Sequence, residues 1–139
     1  MRPDKIIIHC SATEEGRDFS ARDIDGWHKA RGFRRIGYHW VVRLDGSLER
    51  GRKEYEIGAH CLGQNARSLG ICYIGGLRGG KPADTRTPAQ RAAMARLVED
   101  LRSRYPGVTV HGHREFAAKA CPCFDAASEY APRREPRAR

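Results

Sequence analysis

The feature that most constrains this chain is the placing of histidines and cysteines at the ends of short apolar runs. Asp4 to Cys10 reads DKIIIHC, a β-branched run that predicts a buried strand closing on His9. Val108 to His113 reads VTVHGH, a last strand, and an irregular loop carrying Cys121 and Cys123 follows it. Alternation along a strand puts positions two apart on one face, so His111 and His113 can point the same way. Nitrogen and thiolate ligands suit Zn²⁺, and a catalytic zinc site keeps three protein ligands with one position open for water. His9, one histidine of the last strand and a nearby cysteine would make such a set. A plainer reading stays open beside it. Single histidines are mostly surface or core residues, and single cysteines are mostly buried filler.

Between these runs the chain alternates strand and helix signals. Ser20-Ala21-Arg22-Asp23 is a helix cap with its acidic partner three positions on, and Ile24, Trp27, His28 and Arg31 follow at helical spacing up to Gly32. Gly37 to Arg43 alternates like a strand, Asp45-Gly46 signals a hairpin, and Ser47 to Arg50 supplies the returning strand. Leu69 to Ile74 is another apolar run, bounded by Gly75-Gly76, after which Gly75 to Asp84 reads as a mobile glycine-rich loop. Thr87-Pro88-Ala89-Gln90 starts a helix whose face is Met94, Leu97, Val98, Leu101 and Tyr105, and Pro106-Gly107 stops it. The order predicts an α/β fold: a single domain, with a central mixed β-sheet flanked by helices.

Composition bounds the rest. The 139 residues are 40% hydrophobic and 31% charged with a mean hydropathy of −0.68, which fits one globular domain with a real core. No apolar run approaches the ~18 residues of a membrane span, and Met1-Arg2-Pro3-Asp4 leads into only three isoleucines, unlike a signal peptide. The expectation is a chain made and first retained in the cytoplasm. There, five cysteines argue for free thiols rather than a disulfide framework. The 26 basic against 17 acidic residues give +9, which points to a polyanionic partner such as nucleic acid, an anionic envelope polymer or acidic lipid. Four arginines and one glutamate between Arg133 and Arg139 supply +3 of it, in a segment that reads as a basic, disordered tail over 132–139.

Two further motifs carry less. Gly75 to Lys81 (GGLRGGK) fits G-x-x-x-x-G-K, but Pro82 stands where a phosphate-binding loop needs Ser or Thr, and the helix begins only near Thr87. The stretch Trp27, His28, Lys29, Arg31, Phe33, Arg34 and Arg35 mixes bases with aromatics. It could face nucleic acid or be the solvated side of one helix and its exit.

Together the motifs resemble a known family. Ile8-His9-Cys10-Ser11-Ala12-Thr13, Trp27-His28, Gly37-Tyr38-His39 and Gly58-Ala59-His60 occur in the order found in type 2 N-acetylmuramoyl-L-alanine amidases. Ser68-Leu69-Gly70-Ile71-Cys72, Thr87-Pro88-Ala89-Gln90, Gly112-His113-Arg114-Glu115 and Lys119-Ala120-Cys121-Pro122 continue the match, which runs from about Ile6 to Asp125. The pattern is most similar to the small phage lysozymes of the T-seven type, which are amidases.

The resemblance implies a peptidoglycan-recognition-protein-like amidase fold over residues 1–131, with one Zn²⁺ in a surface groove. Residue by residue, it implies His9, His113 and Cys121 as metal ligands, Tyr38 and Lys119 as catalytic side chains, and His60 as a groove histidine facing substrate. His111 and Cys123 do not fall on ligand positions. The implied activity is zinc-dependent hydrolysis of the amide between N-acetylmuramic acid and L-alanine in peptidoglycan, by a monomeric phage or prophage endolysin. Such an enzyme stays in the host cytoplasm until released to the cell wall. Cytosolic recycling amidases of anhydro-muropeptides resemble this family but typically have Asp as third ligand, and non-catalytic wall-binding modules characteristically lack the cysteine. A nucleic-acid or polymerase partner stays open on the charge.

Overall fold

Alternation along the first apolar run sorts its side chains between two cores. A computed structural model describes residues 1–132 and places that run as strand β1 (Lys5–Cys10). Ile6, Ile8 and Cys10 point to one face of the sheet and Ile7 and His9 to the other. A two-residue β2 (Thr13–Glu14) follows, then α1 (Ala21–Ala30), β3 (Trp40–Val42), β4 (Leu48–Arg50), β5 (Ser68–Tyr73), β6 (Gly76–Arg78) and β7 (Lys81–Pro82). The long helix α2 (Pro88–Arg104), β8 (Thr109–Gly112) and a single turn, α3 (Ala126–Glu129), follow. Five strands form one sheet in the order β4-β3-β5-β1-β8, in which β1 pairs in parallel with both β5 and β8 and only the β3–β4 pair is antiparallel. The tail at 133–139, including the expected run of arginines, lies outside the described residues.

The two faces are covered by different helices. Ile6, Ile8, Leu69, Ile71 and Tyr73 pack with Met94, Leu97, Val98 and Leu101 of α2. Each fully buried Leu or Met contributes roughly 1.5–3 kcal/mol by leaving water. Ile24 of α1 packs with Ile36, Val41, Cys72 and Ile74 on the opposite face. The mixed sheet flanked by helices is the architecture expected from the sequence. Both predicted capping boxes form: the Ser20 hydroxyl accepts from the Asp23 amide and the Thr87 hydroxyl from the Gln90 amide, each reciprocated by the partner side chain. Gln90, fully buried, also donates to the carbonyls of Val42 and Ile74, pinning the start of α2 to two strand ends. No helix of the described residues is long and apolar enough to cross a membrane.

Two expectations need correction. The strand predicted over Gly37–Arg43 shortens to β3, and at its expected start Gly37 gives its amide to His28 Nδ1 and accepts the Ala59 amide on its carbonyl instead of pairing with a strand. A Cβ there would lie 1.9 Å from the Ala59 carbonyl oxygen. The glycine-rich stretch is not a loose loop. Gly79 and Gly80, both at positive φ, form the two-residue turn of a β6–β7 hairpin that pairs with β2. The Glu14 carboxylate accepts from both of their amides and holds that turn.

Between β4 and β5 the chain is anchored by Glu54, which accepts hydrogen bonds from Trp40 Nε1 at 2.9 Å, the Tyr105 hydroxyl at 2.7 Å and Arg104 Nη2 at 3.0 Å. Burial works against its charge, but these donors outweigh it and hold the carboxyl down at about 2. A carboxyl depressed in the folded state stabilises above its unfolded value near 4.5 and loses that contribution as pH falls towards 2. Glu54→Gln is therefore expected to lose about 1–3 kcal/mol at pH 7. The deficit should narrow steadily once denaturation midpoints are measured below pH ~4.5. A deficit independent of pH would show that the charge is not what matters.

Candidate active site

The parallel register of the central strands assembles the site. The β1–β8 ladder pairs Ile7 with His111 and Ile8 with Gly112, so the next step along it brings His113 beside His9. The two rings meet with Nδ1 atoms 3.1 Å apart. His113 opens a single 3-10 turn (His113–Glu115), and the chain then winds back so that Cys121 Sγ accepts the Cys10 amide at 3.2 Å. One ligand atom from each of His9, His113 and Cys121 lies within 4.8 Å of the others, so the three predicted ligands are brought together.

The other candidates separate from them. His111 stands one pleat short, beside Ile7, bonded to Glu115 at 2.9 Å and to Thr109 at 2.8 Å. Cys123 turns its thiol to the Gly76 carbonyl.

The donor set suits a zinc ion. His9 is 1% exposed, and burial first, then the neighbouring rings of His60 and His113 and the Lys119 charge, hold its pKa well below the usual histidine range. Burial and the Lys119 charge lower His113 as well. Two neutral imidazoles and a cysteine sulfur thus converge, with nitrogen lone pairs available at neutral pH. His113 also lines a surface cleft of about 610 Å³, bordered by Tyr38, His60, Lys119, Arg31 and Phe116.

Tyr38 packs its ring 5.0 Å from that of His9. Burial, reinforced by the thiols of Cys72, Cys121 and Cys10, pushes its phenol well above 10, so it keeps its proton throughout the neutral range. Lys119 sits exposed on the rim, near enough to His9 and His113 for its charge to act on both.

His60 also lines the cleft, but both its nitrogens have protein partners: Nδ1 meets His9 Nε2 at 2.9 Å and Nε2 meets the Ser68 hydroxyl at 3.3 Å. Sequence reasoning gave no role to His28, which accepts the Gly37 amide through Nδ1 at 2.9 Å and packs 5.3 Å from the Tyr38 ring. Its signals were the Trp27-His28 motif and its place in the basic-aromatic stretch. With Arg31 and Phe33 it belongs to the cleft wall, so part of the basic-aromatic stretch faces the site.

Comparison with known proteins accords with this geometry. Residues 1–124 match the N-acetylmuramoyl-L-alanine amidase family. The endolysin of Escherichia phage T7 is 41% identical over 123 residues, spanning 88% of this chain and 82% of that protein. Among solved structures, the N-acetylmuramoyl-L-alanine amidase LysC of Clostridium intestinale superposes with a TM-score of 0.78 at 30% identity, over 92% of this chain and 81% of that one. Drosophila PGRP-LB gives 0.76 at 26% identity, over 92% of this chain and 79% of that one. Fold and site together define an amidase of the peptidoglycan-recognition-protein-like class. The chain belongs to the N-acetylmuramoyl-L-alanine amidase family.

The floor of the site depends on missing side chains. A Cβ on Gly70 would lie 2.7 Å from Cγ of His60, and one on Gly58 would lie 2.7 Å from its Cδ2. Gly70→Ala is expected to push the His60 ring from its slot and cost about 1–3 kcal/mol, read as a lower urea midpoint. An unchanged midpoint would mean that the ring has room the structure does not indicate.

Proposed function

We propose that the protein is a zinc-dependent endolysin of a phage or prophage, hydrolysing the amide between N-acetylmuramic acid and L-alanine in peptidoglycan. One observation carries this reading: His9, His113 and Cys121 converge beside an open cleft in a chain of the amidase family. Hydrolysis adds one water across the amide: its hydroxide bonds the lactyl carbonyl carbon, the carbon–nitrogen bond breaks, and both of the water's protons pass to the L-alanine nitrogen, leaving a carboxylate and an ammonium. When bound, Zn²⁺ supplies Lewis acidity and lowers the pKa of its water towards ~7. His9 and His113 offer neutral ring nitrogens, and Cys121 its sulfur, as the holding ligands. The Lys119 ammonium stabilises the oxyanion that develops on the carbonyl oxygen. Tyr38 keeps its proton on Oη, and this makes it a hydrogen-bond donor to the reacting amide or its leaving nitrogen. A cysteine at the third ligand position favours wall lysis over muropeptide recycling, where Asp is usual, and over a binding module without catalysis.

Digesting purified peptidoglycan with and without a chelator, and identifying the new ends by mass spectrometry, tests the reaction directly. Free L-alanine amines and intact muramic acid ends are expected, only without chelator. Glycan-chain cleavage instead would overturn the assignment.

Metal analysis of variants tests the ligand set: Cys121→Ser should lose both zinc and activity, whereas Cys123→Ser should keep both. Lys119→Ala should retain zinc while kcat/KM falls roughly 10²-fold, the usual cost of one oxyanion-stabilising group. A Cys121→Ser protein with full zinc, or a Lys119→Ala protein at parent rate, would remove that residue from its role.

The arginines beyond Ala131 are proposed to concentrate the enzyme on anionic envelope polymers, a screened attraction acting within ~10 Å at 0.1 M salt. Truncation after Ala131 should weaken low-salt activity on sacculi and leave turnover of a soluble muropeptide unchanged. Equal activity on sacculi would make these residues spectators.

A further inference from the structure

A line of hydrogen bonds runs from His9 away from the cleft and ends on a backbone carbonyl. His9 Nε2 lies 2.9 Å from His60 Nδ1, His60 Nε2 lies 3.3 Å from Ser68 Oγ, and Ser68 Oγ lies 2.6 Å from the Gln64 carbonyl oxygen. The last link fixes the direction of all the others. A carbonyl oxygen only accepts, so the single hydroxyl proton of Ser68 points to Gln64. Towards His60 the same oxygen can then only accept, so Nε2 of His60 carries the ring proton. His60 is 9% exposed and its polar partners are an imidazole and a hydroxyl, so no negative charge offsets the cost of burying a protonated ring and it stays neutral. A neutral His60 protonated at Nε2 has a bare Nδ1, which accepts from His9. His9 is therefore protonated at Nε2 and bare at Nδ1, the nitrogen that faces His113.

The fold builds a slot for this line. Ser68 and Gly70 alternate onto the same face of β5, the Ser68 side chain is wholly buried, and Gly58 and Gly70 leave the space that the His60 ring fills. The ring also stands edge-on to His39, at 5.8 Å. His39 is fixed in turn by accepting the Gly70 amide at Nδ1 and meeting the Glu56 carbonyl at Nε2.

We propose that His60 and Ser68 are positioning residues that lock His9 in its Nε2–H tautomer and aim the Nδ1 lone pair at the metal position. This rests on the reading of His9 as a zinc ligand, and it replaces the expectation that His60 faces substrate. With both nitrogens engaged inside the protein, His60 has no polar atom left for a ligand in the cleft. A partner on the far nitrogen of a ligating histidine fixes its tautomer and raises its basicity, and removing such a partner typically costs 10–100-fold in metal affinity.

Two measurements decide it. In zinc-free protein, long-range proton–nitrogen correlation of the histidine rings should report His9 as the Nε2–H tautomer. Finding the Nδ1–H form would overturn the proposal without any substitution. Zinc dissociation constants, measured by competition with a chromophoric chelator, should rise about tenfold in Ser68→Ala and 10–100-fold in His60→Ala. His60→Asn, whose amide oxygen reaches the place of Nδ1, should recover much of that loss, as mere cavity filling would not. Thermal unfolding confirms that each variant is folded. If Ser68→Ala and His60→Ala bind zinc as tightly as the parent, the relay does not act on the metal. If His60→Ala leaves zinc affinity unchanged and instead raises KM, His60 belongs to the substrate. A parent protein that binds no zinc would defeat the functional reading, while the tautomer would still report on the relay.

Discussion

The parallel pairing of β1 with β5 on one side and β8 on the other is the constraint on which the structure depends. It buries three consecutive isoleucines, leaving none of their surface exposed. The same ladders carry His9 out at the strand's carboxyl end between Cys72 and the approach to His113. In open parallel sheets, side chains at the carboxyl ends of strands face the crevice where ligands bind. Stability and site are thus two ends of one strand. Its middle is apolar on both faces, and its last two residues divide between the α2 core, which takes Cys10, and the cleft side, which takes His9.

Much of this was legible in the sequence because it rests on local chemistry. DKIIIHC needs no context to read as a buried strand, and Thr87-Pro88-Ala89-Gln90 fixes the start of α2 through bonds within four residues. What stayed ambiguous depended on register. Strand parity puts His111 and His113 on one face but cannot say which of them stands level with His9; only the pairing of Ile8 with Gly112 decides that. The β6–β7 hairpin went unread because its Gly-Gly turn sits in a stretch whose strands are two and three residues long and take their partner from distant β2. Ser68 stood in the family motif Ser68-Leu69-Gly70-Ile71-Cys72 but gave no sign of a role. A serine at the head of an apolar run looks like a boundary, and its role appears only when His60 folds back over β5.

The electrostatics of the site follow from the same burial. His9, His39, His60 and His113 cluster under one cleft, and each is held below the ordinary histidine range, with burial the leading cause in every case. A group of protonated rings at this spacing would repel one another, and Lys119 and Arg31 on the cleft wall would add to the repulsion. Kept neutral, the rings coexist with those cations, and the positive charge stays at the rim, where a polar substrate arrives. The aromatic packing of Tyr38 against His9 and His28 shields the floor of the cleft on the side of α1.

The distance along the chain between the two facing histidines has a consequence for how the molecule comes into being. His9 and His113 are 104 residues apart, and Cys121 comes later still. β1 can pair with β5 while the chain is being synthesised, but its other edge stays unfilled until β8 emerges from the ribosome. Closing so long a loop is among the slower events in folding, because its entropy must be lost before the contacts form. No nascent fragment that stops short of β8 brings His9, His113 and Cys121 together, so the cluster assembles in one late event rather than growing with length.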